Sequence, residues 1–148
     1  MASAHAITNE PVVTGVSVAV AVENLSGAVA RYREAFGLAE PSYAQSEADG
    51  VEVAVFALGG SQLQLVAATS EESVIAKDLA ARGSGLHHFG FIVRSVDDTL
   101  SHLIAHGFRT LGETARPGAG GNLVGFVHPA TTLGAIVELV EPPQGDER

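Results

Sequence analysis

Val16-Ser17-Val18-Ala19-Val20-Ala21-Val22 and His87-His88-Phe89-Gly90-Phe91-Ile92-Val93 are two β-rich runs, each of which opens one copy of the same pattern. After the first run, Leu25, Val29, Tyr32 and Phe36 fall at i, i+4, i+7 and i+11, which puts them on one face of a helix. Asn24 or Ser26 is placed to cap that helix and Gly37 to stop it. After the second run, Val96, Leu100, Leu103 and Ile104 repeat the helical spacing, and Gly107 ends it. Strand runs complete each copy. In the first they are 51–58 and 63–67 around Gly59-Gly60, with 41–46 as a further strand; in the second they are 108–113, 123–127 and 135–140. A connector at 71–82 reads as a helix capped by Ser70 or Ser73 and ending at Gly83-Ser84-Gly85.

Superposing Val22 on Val93 sets an offset of 71 positions, which places Ser17 opposite His88 and Leu25 opposite Val96. At the ends of the copies, Gln62-Leu63-Gln64-Leu65-Val66 matches Ile136-Val137-Glu138-Leu139-Val140, so Gln64 stands opposite Glu138. The reading is an α+β domain made by duplication. Module one covers about 12–68, a linker helix about 71–82, and module two about 86–141. The stretches 1–11 and 142–148 are polar, Pro-containing ends of the kind that stay loose.

Composition narrows the class. A chain of 148 residues with 46% hydrophobic and 17% charged residues has enough apolar material for one core. The net charge of −9 argues against nucleic acid or an anionic membrane as partner, since both require clustered Lys and Arg. With no cysteine there is no disulfide, thiol nucleophile or thiolate metal site. No run reaches the roughly 20 apolar residues of a membrane span, and the start of the chain lacks the pattern of a signal peptide. The cytoplasm is the simplest compartment.

Three polar residues interrupt apolar runs. Gln64 and Glu138 each interrupt an otherwise apolar strand run, and His88 lies near the start of one. An unpaired carboxylate or amide is costly to bury, so such residues either face solvent or share a partner. A pseudo-twofold arrangement brings the three together at the centre of a curved sheet, where one imidazole nitrogen and two oxygens suit a divalent metal of intermediate hardness. The alternative is that Gln64 and Glu138 lie on a solvent face and His88 caps a strand. Glu52 reads either as a functional carboxylate or as an exposed strand residue. His87 reads as a strand-edge residue or a ligand, His128 as a loop-positioning residue, and His102 and His106 as surface. The run Arg116-Pro117-Gly118-Ala119-Gly120-Gly121-Asn122 lacks a P-loop or Rossmann pattern. It is a hairpin turn or a backbone cradle for a ligand. Arg116 and Lys77 are available to an anionic ligand such as coenzyme A but form no basic cluster.

With these residues in view, the sequence resembles the vicinal oxygen chelate (glyoxalase/bleomycin resistance-like) superfamily, and within it the methylmalonyl-CoA epimerases. The likeness runs from about residue 13 to 141. It is carried by Glu72-Ser73-Val74-Ile75-Ala76-Lys77, Gly85-Leu86-His87-His88, Arg116 to Asn122, Phe126-Val127-His128-Pro129 and Val137-Glu138-Leu139, in that order. The resemblance implies two βαβββ modules in pseudo-twofold arrangement, forming a curved sheet around a central cleft. It also implies a divalent metal (cobalt, manganese, magnesium, nickel or zinc) on Gln64, His88 and Glu138, with Glu52 and Glu138 as catalytic carboxylates. Ser17, Gly120, Gly121, Asn122 and His128 would contact substrate. One departure stands out: the family's first-strand metal-ligand histidine is matched here by Ser17. The implied reaction is proton transfer alpha to a thioester carbonyl with a metal-stabilised enolate. Two alternatives stay open. One is an epimerase-derived, metal-free enzyme of cyclisation, isomerisation or elimination in a specialised-metabolite pathway. The other is a non-catalytic small-molecule-binding protein. The implied partners are a small carbonyl or acyl-thioester substrate and a second copy of the chain.

Overall fold

The computed structural model describes residues 10–134 and 136–143. Residues 1–9, with His5, and 144–148, read from sequence as loose ends, lie outside the described residues, as does Ala135. The elements are β1 (Val13–Ala21), α1 (Leu25–Phe36), β2 (Ser42–Ser46), β3 (Val51–Leu58), β4 (Ser61–Ala68), α2 (Val74–Arg82), β5 (Gly85–Val93), α3 (Val96–Ala105), β6 (Arg116–Pro117), β7 (Leu123–Val127) and β8 (Val137–Glu141). They form one eight-stranded curled sheet in the order β2-β3-β4-β1-β5-β8-β7-β6, which reads as one module followed by its mirror order.

The register confirms the duplication. Val18 of β1 pairs with Phe89 of β5, flanked by the pairs Ser17–Gly90 and Ala19–His88, so a local dyad passes through that pair. The separation from 18 to 89 is the 71-position offset given by the sequence superposition. Each module also closes with a parallel pair, β1 with β4 and β5 with β8.

Local chemistry sets the helix ends. Asn24, not Ser26, caps α1: its side chain accepts from the Gly27 amide at 2.9 Å, while Gly37 ends the helix in the left-handed region. Ser73 caps α2, so this helix starts at Val74 rather than at 71; Ser70 instead binds the Glu72 amide in the preceding turn. One expected strand is missing. The stretch 108–113 makes a single bridge, Thr110 to Val127. Gly107 and Gly112 hold φ values of 88 and 105, which break the extended run at both ends.

Two apolar clusters cover the outer face of the sheet. One joins α1 (Leu25, Val29) to Ala54, Phe56 and Leu65; the other joins α3 (Val96, Leu100) to Val127, Val137 and Leu139. A third, Ala19, Ala21, Val53, Val66 and Ile75, seats α2 on the inner face. No described helix is long and apolar enough to cross a membrane.

Gly90 of β5 lies hard against its partner Glu138 on β8. A Cβ there would run into the Glu138 carbonyl oxygen and lie 3.0 Å from the Glu138 Cβ. Both obstacles belong to a paired strand that cannot yield cheaply. Gly90→Ala should therefore cost about 1–3 kcal/mol, visible as a lower urea midpoint with an unchanged slope.

Candidate active site

Two rows of side chains cross the inner face of the four central strands. The first runs Gln64 (β4), Ala19 (β1), His88 (β5); the second runs Gln62 (β4), Ser17 (β1), Gly90 (β5), Glu138 (β8). Polar residues thus flank Ala19 and Gly90, which are too small to fill the space between them. The hollow they leave belongs to a cleft of about 710 Å³, lined by Gln64, His87, His88 and Glu138 at its centre. That volume lies within the range of small-molecule sites.

At the centre, His88 Nε2 donates to Glu138 Oε1 at 2.8 Å, with side chains only 14% and 13% exposed. On the other side of the ring, His88 Nδ1 lies 2.7 Å from His87 Nδ1. Burial and the neighbouring His88 imidazole hold His87 below the usual histidine range. Ser17 is 2% exposed, and its hydroxyl accepts from the Gln62 amide at 3.0 Å and the Gln64 amide at 3.3 Å. Ser17 therefore lies beneath the cleft and anchors the two glutamines instead of lining it. The Gln64 Oε1 accepts no hydrogen bond from any described residue.

Glu52 is not in this cleft. On β3, Val51, Val53 and Val55 pack toward α2 and the inner face, whereas Ala54 and Phe56 pack toward α1. Glu52 shares the parity of Ala54 and Phe56 and lines a separate hollow with Leu25, Tyr43 and Gln45. The expectation that its carboxylate reaches the site is thus corrected by strand alternation. Two acids of the β2–β3 turn line the cleft from module one, Glu47 and Asp49; Asp49 accepts from the Ser46 hydroxyl and faces Arg116 at 4.0 Å, whereas the Glu47 carboxylate has no partner among the described residues. A sequence signal existed: an acidic residue three positions before the turn glycine Gly50, at the mouth of a hairpin. It has no periodicity, so strand patterning passes over it.

The glycine-rich run forms the β6–β7 hairpin. Gly118, Ala119 and Asn122 line the cleft, whereas Gly120 and Gly121 face Ala44 and Pro143. The His128 Nδ1 accepts from the Ala130 amide and lies outside the cleft lining, where it shapes the turn after β7. Arg116 is the one Lys or Arg among the lining residues. Its guanidinium sits 5.5 Å over the Phe126 ring, and Phe126 is the strand partner of Glu138.

The donor set fits a divalent cation. His88 Nε2 and Glu138 Oε1 stand 2.8 Å apart, close to the roughly 3 Å separating neighbouring ligands around an ion with bonds of about 2.1 Å. The unpartnered Gln64 oxygen supplies a third donor on the same cleft. Among the described residues no three His, Cys, Asp or Glu side chains cluster in this way, so the set depends on the glutamine.

Fold and site together define a protein of paired βαβββ modules that holds a polar, partly buried cleft across its dyad. A profile of the Glyoxalase/Bleomycin resistance protein/Dioxygenase superfamily matches residues 17–126. The chain is 36% identical over 125 residues to the ethylmalonyl-CoA/methylmalonyl-CoA epimerase of Cereibacter sphaeroides, covering 82% of this chain and 92% of that one. A methylmalonyl-CoA epimerase solved with methylmalonyl-CoA and NH4+ superposes with a TM-score of 0.83 at 30% identity, over 90% of this chain and 97% of that one. Streptomyces coelicolor methylmalonyl-CoA epimerase, in its glutamine-to-alanine variant with 2-nitronate-propionyl-CoA, superposes at 0.81 with 29% identity, covering 90% and 99%. A companion structure replaces a glutamate seventeen positions before that glutamine. This chain belongs to the glyoxalase/bleomycin resistance protein/dioxygenase superfamily. By its relatives there it is an isomerase of the epimerase kind.

Proposed function

We propose that this protein epimerises a 2-methyl-branched carboxyacyl thioester of the methylmalonyl-CoA type, by removing and returning the proton on the carbon between the thioester and the carboxylate. The observation that carries the reading is the convergence of His88, Glu138 and Gln64 on one cleft that also takes the unpaired carboxylate of Glu47. Inverting one carbon by proton transfer needs two bases that approach it from different sides. Glu47 comes from module one and Glu138 from module two, so each half brings a carboxylate to the cleft; the other module-one acid, Asp49, is engaged by Ser46 and Arg116. The step from 47 to 64 is also seventeen positions, the spacing of the glutamate and glutamine altered in the Streptomyces coelicolor enzyme. Gln64, His88 and Glu138 would hold a divalent cation, which when bound would supply Lewis-acid stabilisation of the negative charge on the thioester oxygen. Exchange of the C2 hydrogen of methylmalonyl-CoA with deuterium, followed by NMR, tests the reaction. No exchange with saturating cobalt or manganese would overturn it.

Ser17 favours a second reading. Its hydroxyl is held by Gln62 and Gln64, so the first strand offers the cleft no free donor. Proton transfer by the His88–Glu138 pair without a cation then remains, and exchange that survives EDTA would identify it.

Arg116 receives an anionic group of the substrate in either case, because it is the one Lys or Arg of the lining and its ion pair with Asp49 is long, at 4.0 Å. One charge-assisted hydrogen bond is worth about 1.5–3 kcal/mol. Arg116→Gln should therefore raise KM about tenfold or more with a much smaller change in kcat. As part of the same reading, the protein works in the cytoplasm as a homodimer, with exposed Val12, Val13 and Val16 as apolar surface available for pairing. Light scattering on the eluted protein tests the dimer.

A further inference from the structure

Neighbouring residues on a strand face opposite sides, yet His87 and His88 both line the cleft. The cause is a bulge. Ala19 pairs with His88 and Val20 pairs with Leu86, which leaves His87 without a partner on β1. The extra residue turns its ring to the same side as that of His88. The two rings meet edge to face at 78°, with their Nδ1 atoms 2.7 Å apart.

A contact of that length between two imidazole nitrogens holds one proton. With none, two lone pairs would face each other; with two, the hydrogens would collide. The other end of His88 fixes which nitrogen carries it. Because Glu138 accepts from Nε2, a neutral His88 carries its proton on Nε2 and presents a lone pair at Nδ1. His87 Nδ1 is then the donor. If a cation instead takes the Nε2 lone pair of His88, the proton of His88 sits on Nδ1 and His87 becomes the acceptor. We propose that His87 is a positioning residue. It can both give and take the shared proton, so His88 Nε2 serves either as donor to Glu138 or as ligand to a divalent cation, with neither ring nitrogen of His88 left unsatisfied. The donor role rests on the contacts alone; the ligand role rests on reading the cleft as a cation site.

The test is nitrogen-15 NMR of the imidazoles, with and without Zn²⁺, on the whole chain and on His87→Gln and His87→Leu, together with calorimetric Zn²⁺ titration. In the unaltered protein without zinc, His88 should carry its proton on Nε2 and His87 on Nδ1. Zinc should reverse both. His87→Leu should blur the single tautomer of His88 and weaken zinc binding by about 10–100-fold, the usual cost of losing the partner of a ligating histidine. His87→Gln, whose amide also gives and takes a hydrogen bond, should restore most of both. The proposal is overturned if His87→Leu leaves the His88 signals and the zinc affinity unchanged. It is overturned equally, even if that variant does not fold, if both histidines of the unaltered protein carry their protons on the same kind of nitrogen. If zinc does not bind but the metal-free tautomers are as stated and are lost in His87→Leu, the positioning role stands and the cation reading falls.

Discussion

Glu47→Gln is expected to slow exchange of the C2 hydrogen of methylmalonyl-CoA by about 10²–10⁴-fold, the usual contribution of a positioned general base, while Glu52→Gln stays within about a factor of two, the scale of a surface substitution. The pair of variants separates two carboxylates that lie five positions apart and differ in the space they face. Glu47 opens onto the cleft that holds His88 and Glu138, with no partner for its oxygens among the described residues. Glu52 points to the α1 side of the same sheet. Replacing either carboxylate by the amide keeps its shape and hydrogen-bonding reach but removes the basicity, so the comparison reads proton transfer rather than packing. Proton–deuterium exchange followed by NMR, with substrate saturation checked for each variant, measures it. A slow Glu52→Gln beside a normal Glu47→Gln would sink the assignment and require β3 to present its other face to the substrate.

Removing the imidazole of His88 should be at least as damaging. His88→Leu leaves the Glu138 carboxylate, only 13% exposed, without its 2.8 Å partner and takes one of the three donors proposed to hold a cation. Losing even an outer partner of a metal ligand typically costs about 10–100-fold. Losing the ligand itself should therefore reduce retained cobalt or manganese, and exchange activity, by at least about 100-fold. Metal content after dialysis and the exchange rate are the two measurements. His102→Leu is the control, since His102 stacks on His106 along α3, away from the cleft lining. Full activity with no retained metal in His88→Leu would rule out the cation reading; full activity with full metal would dismantle the site as drawn.

Much of this arrangement is legible in one dimension. Helical spacing located α1 and α3, and the candidate caps included the two that are used, Asn24 and Ser73. The 71-position offset found by superposing two strand runs reappears as the physical dyad between Val18 and Phe89. His88 and Glu138 stood out as polar residues in apolar runs; the 71-position offset sets His88 opposite Ser17, and Glu138 matches Gln64 at 74 positions, the difference being a change in loop length.

What failed did so for identifiable reasons. Alternation along β3 told Glu52 apart from Val51 and Val53, but both faces of that strand are covered, one by α1 and the other by the inner cluster under α2. No pattern of apolar residues says which covered face holds the cleft. Glu47 lies in a turn and has no period to interrupt. His87 stayed open as a strand-edge residue or a ligand, because strict alternation would face it away from His88 and only the mismatch of register between β1 and β5 turns it inward. The expected strand at 108–113 dissolved at Gly107 and Gly112, whose positive φ values a hydrophobicity pattern does not record.

The sequence by itself determined the repeat, its helices, most of its strands and the three polar residues that disturb their runs, because these follow from spacing and propensity within a few residues of one another. Which carboxylate lines the cleft, which nitrogen of His88 faces Glu138, and the burial of Ser17 beneath two glutamines were decided only by tertiary structure. Those outcomes depend on strand register and on the curl of the sheet, which bring together side chains from β1, β4, β5 and β8 that share no local signal.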